Sequence, residues 1–122
     1  MSPSGFQASF MAKHWAIIIG INQYQSLQPL MYAQQDAVEL RNFFVAEAGL
    51  PAEQCLLITD ALVDQEDPAY PSREFIQSSI EDFLSQLTTE DTLWFFFSGY
   101  GVAWEGQDFL LPIDADPLQI HQ

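Results

Sequence analysis

Basic residues are scarce in this chain of 122 residues. Three lysines and arginines stand against 17 aspartates and glutamates, which gives a formal net charge of −14. Such an acidic chain repels nucleic-acid phosphates and anionic lipid headgroups, so we expect neither nucleic acid nor a membrane as a partner. A basic peptide or protein would be attracted, although solubility alone also explains this charge.

Cysteine is nearly absent, and long apolar runs are lacking. The lone Cys55 cannot form an internal disulfide and is typical of the reducing cytoplasm, where we expect the protein to reside. No apolar run approaches the ~18 residues of a membrane-spanning helix. Residues 1–12 lack the basic and apolar regions of a secretory signal.

The composition, 48% hydrophobic, is that of a globular protein, and the length suits one domain. We predict this domain over residues 14–117. A leader over residues 1–13, with Met11 as an alternative native start, is expected to be disordered, and residues 118–122 form a tail.

Three apolar segments predict strands. Residues 14–22 and 54–59 are short apolar runs of the kind found in buried parallel strands. Residues 92–98 contain four consecutive large aromatic side chains without alternation, which is typical of a central strand covered on both faces.

Two helices are predicted between these strands. The first begins at Ala33, has an apolar stripe and ends at Gly49. The second is capped by Ser72. Its predicted core face consists of Phe75, Ile76, Ile80, Phe83, Leu84 and Leu87.

The alternation of strands and helices predicts an α/β fold with a parallel sheet. Right-handed crossovers with helices on opposite faces give the strand order 2-1-3. The topological switch then lies between the loops that follow Asn22 and Ser98, where we expect the site. We predict irregular structure over residues 23–32, 61–71 and 102–107, and a short extended piece over 108–113.

The third strand ends in Ser98-Gly99-Tyr100-Gly101, and we predict a tight loop there that contains Gly99 and Gly101. Two glycines around one side chain permit positive φ angles and a close backbone approach. We therefore expect Tyr100 at the carboxyl end of the strand, where open α/β sheets bind ligands.

Five segments, in this order and spacing, resemble the large-subunit half of the caspase-like cysteine peptidases. They are residues 17–24, 30–37, 56–60, 96–101 and 108–116. The nearest branch is the bacterial metacaspase-like group, also called orthocaspases. The resemblance runs from about Trp15 to Pro117 and implies a caspase-like three-layer sandwich, a mostly parallel sheet with helices on both faces.

In that family the third strand ends in Ser-Gly-His-Gly, and its histidine forms a catalytic dyad with a cysteine. Tyr100 takes the histidine position here. Imidazole, with a reference pKa of about 6.5, can act as a base at neutral pH, whereas a phenol near 10 is ionised to about one part in a thousand. We expect Tyr100 to pack at the loop mouth with its hydroxyl in water; ligand binding is the alternative.

No other residue replaces the dyad. The family's cysteine follows the next parallel strand, which we do not find before Gln122. Cys55 lies inside the second strand, where burial is expected to leave it inert. His14 opens the first strand at the opposite edge of the sheet, and His121 belongs to the tail.

The resemblance also implies a pocket for a basic P1 side chain, lined by Asp36 and neighboured by Ser98. A carboxylate binds arginine through a charge-assisted, often bidentate bond. The helix dipole explains an aspartate in a first helical turn equally well.

The resemblance alone implies calcium as a possible cofactor, because some metacaspases need it. We expect no other cofactor. Asp60, Asp64, Glu66 and Asp67 do not have EF-hand spacing, and we predict a solvated loop there. Asp114 and Asp116 are predicted to form a turn.

Two functions are compatible with this sequence. The first is an inactive caspase-like domain used for binding or regulation. The second is an Arg/Lys-directed cysteine-type endopeptidase that needs a C-terminal half or a partner chain to supply the nucleophile. The aromatic strand, exposed at the sheet edge, is expected to pair with such a half or with a second copy, unless the tail covers it.

Overall fold

The computed structural model describes residues 12–60 and 67–115. Its elements are β1 (His14–Gly20), α1 (Ala33–Asn42) with a π-helical continuation (Phe43–Glu47), a 3-10 turn (Ala52–Gln54), β2 (Cys55–Thr59), α2 (Arg73–Leu84), β3 (Thr92–Ser98), β4 (Gly101–Trp104) and β5 (Gln107–Leu110). Most of the predicted leader, Asp64, Glu66 and the chain from Asp116 onward lie outside the described residues.

Strand β1 is the centre of a parallel sheet with the order β2-β1-β3. Its last residue, Gly20, pairs with Thr59 of β2 and with Ser98 of β3. The carboxyl ends of the three strands therefore meet at one edge. The predicted strand order is confirmed.

The two helices cover opposite faces of the sheet. Ile17 of β1 belongs to the same apolar cluster as Phe83 of α2, whereas the next residue, Ile18, clusters with Ala37 of α1. Successive strand side chains point to opposite faces. The predicted three-layer α/β architecture is confirmed.

Helix α1 passes very close to β1 at Gly20. A methyl group on Gly20 would collide with the carbonyl oxygen of Ala33 and lie 2.6 Å from Cβ of Ala37. Only small residues permit this close approach of α1 to β1.

The helical segment ends before Gly49, whose φ of 77° lies in the left-handed region, as predicted for a glycine at a helix end.

Helix α2 begins at the predicted cap. The backbone N–H of Phe75 donates to Oγ of Ser72 at 3.2 Å. Leu84, predicted to lie on the core face, is 40% exposed, because its neighbour Phe83 takes the buried position and the two side chains point about 100° apart.

No helix within residues 12–60 and 67–115 is long and apolar enough to cross a bilayer.

Strand β3 borders the sheet. Among the described residues it pairs with β1 alone. Its first four residues are exposed, including Trp94 at 50% and Phe95 at 49%. The prediction of a central strand covered on both faces is wrong for the first half of β3, because within the described residues this strand borders the sheet and the helices that cover β1 leave Trp94 and Phe95 exposed on opposite faces.

Strands β4 and β5 form an antiparallel hairpin. The sequence predicted a loop over residues 102–107 and placed Gly101 in a loop, whereas Gly101 begins β4. Glu105 and Gly106 have φ angles of 50° and 78°, as required in the tight two-residue turns of hairpins. This turn was missed because glutamate rarely adopts the left-handed conformation.

Candidate functional site

The loops that follow β1 and β3 meet at the carboxyl edge of the sheet, as the topology predicts. The backbone N–H of Ile21 donates to the carbonyl oxygen of Ser98 at 3.1 Å. The segments that follow β1 and β3 therefore leave the sheet side by side. Tyr24 and Tyr100 come into contact just beyond this point.

Tyr24 links these loops through its hydroxyl group. The side chain is 5% exposed. Its hydroxyl donates to the carbonyl oxygen of Leu111 at 2.9 Å and accepts from the backbone N–H of Tyr100 at 3.0 Å. Burial raises the pKa of Tyr24 to about 12, although the bond from Tyr100 opposes this shift. Sequence reasoning assigned Tyr24 no role, because its partners are distant in the chain.

Gly99 is required by this arrangement. A methyl group on Gly99 would collide with the hydroxyl of Tyr24 and lie 3.0 Å from the ring of Phe97. Of the two reasons predicted for a glycine here, close approach is the one that this contact supports.

Tyr100 lies at the mouth between the two loops, as predicted. Its ring packs edge-on against Tyr24, with the ring centres 5.0 Å apart. Its hydroxyl, predicted to be in water, donates to the carbonyl oxygen of Gln28 at 2.9 Å. Tyr100 thus ties the end of β3 to the loop after β1, acting as a hydrogen-bond donor.

Asp60 follows β2 at the same edge and is buried. Its carboxylate accepts from the backbone N–H of Asn22 at 3.1 Å and from that of Gln23 at 2.6 Å. The predicted solvated loop is wrong at this position. The strand order places Asp60 beside the chain that leaves β1, whose N–H groups have no strand partner there.

Asn22 continues this polar network into helix α1. Its side-chain oxygen accepts from the backbone N–H of Gln34, and its side-chain nitrogen donates to Oε1 of Gln34, both at 3.0 Å. No buried side-chain polar atom in the described residues lacks a hydrogen bond. The network fixes the loop after β1 and the start of α1.

Asp36 and Ser98, predicted to line a pocket, lie at the same end of the sheet. Asp36 occupies the first turn of α1 and is exposed. Ser98 is the last residue of β3 and is partly buried. Their role in a basic P1 pocket stays a prediction.

The remaining nucleophile and base candidates lie elsewhere. Cys55 opens β2 and is partly buried, and burial raises the pKa of its thiol. His14 lies at the amino end of the sheet, where its Nδ1 accepts from Nε1 of Trp94 at 3.2 Å. Neither residue converges on Tyr100, and His121 lies outside the described residues.

The described residues do not fit a calcium site. Residues 12–60 and 67–115 contain no group of three acidic, histidine or cysteine side chains placed to hold a metal ion. Asp67 accepts from the backbone N–H of Ala69, and Asp114 from that of Arg73. These carboxylates, like that of Asp60, are engaged by the backbone.

Replacing Tyr24 by phenylalanine is expected to lower the free energy of unfolding by about 1–3 kcal/mol, because the N–H of Tyr100 and the carbonyl of Leu111 lose a buried partner. Urea denaturation measures the change. Tyr32→Phe, at a side chain 64% exposed, is the matched control and should cost less than about 0.5 kcal/mol. Equal effects of the two variants would contradict this role.

Tyr24 also predicts a loss of stability at alkaline pH. Its pKa is about 12 in the folded chain against an ordinary value of 10.0, so its contribution is fully present below pH 10.0 and is lost as the pH rises towards about 12. Tyrosinate absorbance should therefore show a late step that belongs to Tyr24. The late step should disappear in Tyr24→Phe and persist in Tyr32→Phe; a late step in both variants would refute the assignment.

Comparison with known proteins agrees with this architecture. The family model described as the caspase domain matches residues 13–122, nearly the whole chain. Metacaspase-1 from Eremothecium gossypii is 29% identical over 94 residues, which are 76% of this chain and 20% of that protein. The chain thus spans about a fifth of the length of this curated relative. The family model covers nearly the whole chain, and the β2-β1-β3 sheet with a helix on each face agrees with it. The chain therefore belongs to the caspase domain family.

Proposed function

We propose that this chain is a caspase-like domain without peptidase activity of its own, which binds a basic segment of a peptide or protein. The observation that carries the proposal is the bonding of Tyr100, at the position where the resemblance expects a histidine. Its hydroxyl donates to the carbonyl oxygen of Gln28, and its ring packs on Tyr24.

This bonding is unsuited to general base catalysis. A base in a cysteine peptidase must accept the proton of the thiol near neutral pH. The phenol of Tyr100 instead gives its own proton to a backbone carbonyl, and a phenolate could not make that bond. Tyr100 therefore holds the two loops together and leaves a thiol unactivated.

Within residues 12–60 and 67–115, no thiol lies at this edge. Cys55 is the only cysteine of the chain. It begins β2, whereas Tyr100 follows the end of β3, and burial raises the pKa of its thiol. The reactive form of cysteine is the thiolate, which this environment disfavours.

The charge of the chain favours a basic ligand. A net charge of −14 raises the local concentration of cationic segments around the protein. The exposed carboxylate of Asp36 can form a charge-assisted bond to arginine, and we propose that Asp36 and Ser98 contact the basic side chain.

Binding through Asp36 can be measured with a fluorescein-labelled peptide that contains one arginine. We expect Asp36→Asn to weaken binding about tenfold, the loss of one charge-assisted hydrogen bond. Asp82→Asn removes the same charge from the exposed face of α2 and is the matched control. A peptide with citrulline in place of arginine should bind as weakly to the original chain as to Asp36→Asn. Equal losses in the two variants would instead indicate a general effect of charge.

The purified chain is expected to leave Arg- and Lys-containing fluorogenic peptides uncleaved, with or without calcium, because the described residues place neither an imidazole nor a thiol beside Tyr100. The rate of fluorophore release measures this. Tyr100→Phe keeps the ring and removes the hydroxyl. Cleavage by the original chain that disappears in Tyr100→Phe would show that the phenol is catalytic and would refute the proposal.

A second candidate is an Arg/Lys-directed endopeptidase completed by a C-terminal half or a partner chain. Two observations favour it: the short share of the metacaspase relative that this chain covers, and the unpaired edge of β3 among the described residues. Mixing the chain with the complementary half of a metacaspase distinguishes the candidates. Cleavage by the original chain supports the second candidate, whereas cleavage only after Tyr100→His identifies tyrosine as the residue that silences the site.

A further inference from the structure

Asp60 has a buried carboxylate that the proposed function does not use. The residue is 8% exposed and follows β2 at the carboxyl edge of the sheet. Its two oxygens accept only from backbone N–H groups of Asn22 and Gln23 among the hydrogen bonds of the described residues, the shortest at 2.6 Å. An amide of the same size is a poor replacement, because one of the two acceptor oxygens becomes a donor.

Asn22 connects Asp60 to helix α1. Its backbone is bonded on both sides, the N–H to Asp60 and the carbonyl oxygen to the N–H of Leu30 at 2.8 Å. Its side chain bonds twice to Gln34, once to the backbone N–H and once to Oε1. Asn22 thus joins the end of β2, the loop after β1 and the first turn of α1.

Helix α1 has no side-chain cap from its own N-cap residue. Tyr32 occupies that position and makes no side-chain hydrogen bond to the helix. The first N–H groups of a helix have no acceptor within the helix itself. Asn22, twelve residues before Gln34, supplies an acceptor for one of them, which is the role that an N-cap side chain normally has.

We propose that Asp60 is a positioning residue for the basic ligand and acts on Asp36 through Asn22. This inference rests on the proposed function, because it concerns the same site. Asp36 lies in the first turn of α1, two residues after Gln34, and its backbone N–H donates to the carbonyl oxygen of Tyr32 at 2.9 Å. Asp60 acts without contacting the ligand, since its bonds order the turn that carries the carboxylate of Asp36.

Packing limits the size of the expected effect. Helix α1 also contacts Gly20 of β1 through Ala33 and Ala37. Loss of the Asp60 carboxylate should therefore loosen the start of the helix without detaching the helix from the sheet. If the ordered start is then populated in about one molecule in five, the apparent affinity for the ligand falls about fivefold.

Asp91 offers a matched control at the opposite edge of the sheet. Its carboxylate also accepts from backbone N–H groups, those of Lys13 at 2.9 Å and Thr88 at 3.0 Å, and from Nε1 of Trp15. These bonds join the segments that precede β1 and β3. Asp91→Asn removes the same charge and the same kind of bond as Asp60→Asn, but away from α1.

Two measurements test the proposal: binding of the fluorescein-labelled arginine peptide and site-resolved amide hydrogen exchange. Asp60→Asn should weaken binding about fivefold. It should also speed exchange at the N–H of Gln34 about tenfold relative to the N–H groups of β1, since the opening is local. Asp91→Asn should change neither the affinity nor this exchange ratio.

A double-mutant cycle tests whether Asp60 acts through Asp36. In an Asp36→Asn background, Asp60→Asn should weaken binding by less than about twofold, because the carboxylate that it positions is already absent. A second full loss of about fivefold would mean that the two residues act independently. That result would overturn the proposal.

Failure of this inference differs from failure of the proposed function. If Asp36→Asn binds the peptide as well as the original chain does, the proposed function fails and the positioning role with it. If Asp36→Asn binds weakly while Asp60→Asn binds normally, or if Asp91→Asn loses as much affinity as Asp60→Asn, only the positioning role is refuted.

Asn22→Ala decides the question if circular dichroism shows that Asp60→Asn is unfolded. This variant removes both bonds to Gln34 and keeps the backbone N–H that donates to Asp60. It should give the same loss of about fivefold in affinity. Normal binding by a folded Asn22→Ala would overturn the proposal.

Discussion

The carboxyl edge of this sheet depends on one buried hydroxyl group. Tyr24 accepts the N–H of Tyr100 and donates to the carbonyl of Leu111, so a single oxygen joins the loop after β1, the loop after β3 and the chain that leaves the hairpin. The neutral phenol alone can serve both partners, and burial keeps it neutral. Gly99 is the geometric consequence, because a side chain there would displace the hydroxyl.

The sequence predicted the parts of the fold that depend on local pattern and chain handedness. The apolar run of β1, the Ser72 cap and the stop at Gly49 are local signals, and right-handed crossovers then set the strand order. The errors concern features decided by neighbours in space. Asp60 looks like a loop acid until the sheet brings it to the N–H of Gln23, and Trp94 is half exposed because β3 borders the described sheet.

For the candidate site, the sequence likewise predicted the location but not the hydrogen bonds. Its location followed from the topology, since the carboxyl ends of β1 and β3 must adjoin at the switch point. The two flanking glycines predicted that Tyr100 lies at the carboxyl end of the strand. The bonds of Tyr100 could not be predicted, because Gln28 and Tyr24 lie more than seventy residues away in the chain. Periodicity predicts which face of a strand is apolar but does not identify the partner of a loop hydroxyl.

Stability and catalysis place separate demands on this fold. The core rests on the alternating side chains of β1, from Trp15 to Ile19, and on the helices packed against them. The loop mouth is built from other residues, so its chemistry can vary while the strand and helix core stays the same. The phenol also contributes something that imidazole supplies less readily: a longer reach, ending in a donor that meets the carbonyl of Gln28. A tyrosine here is thus favoured wherever holding the two loops together matters more than accepting a proton, which is the role proposed above for Tyr100.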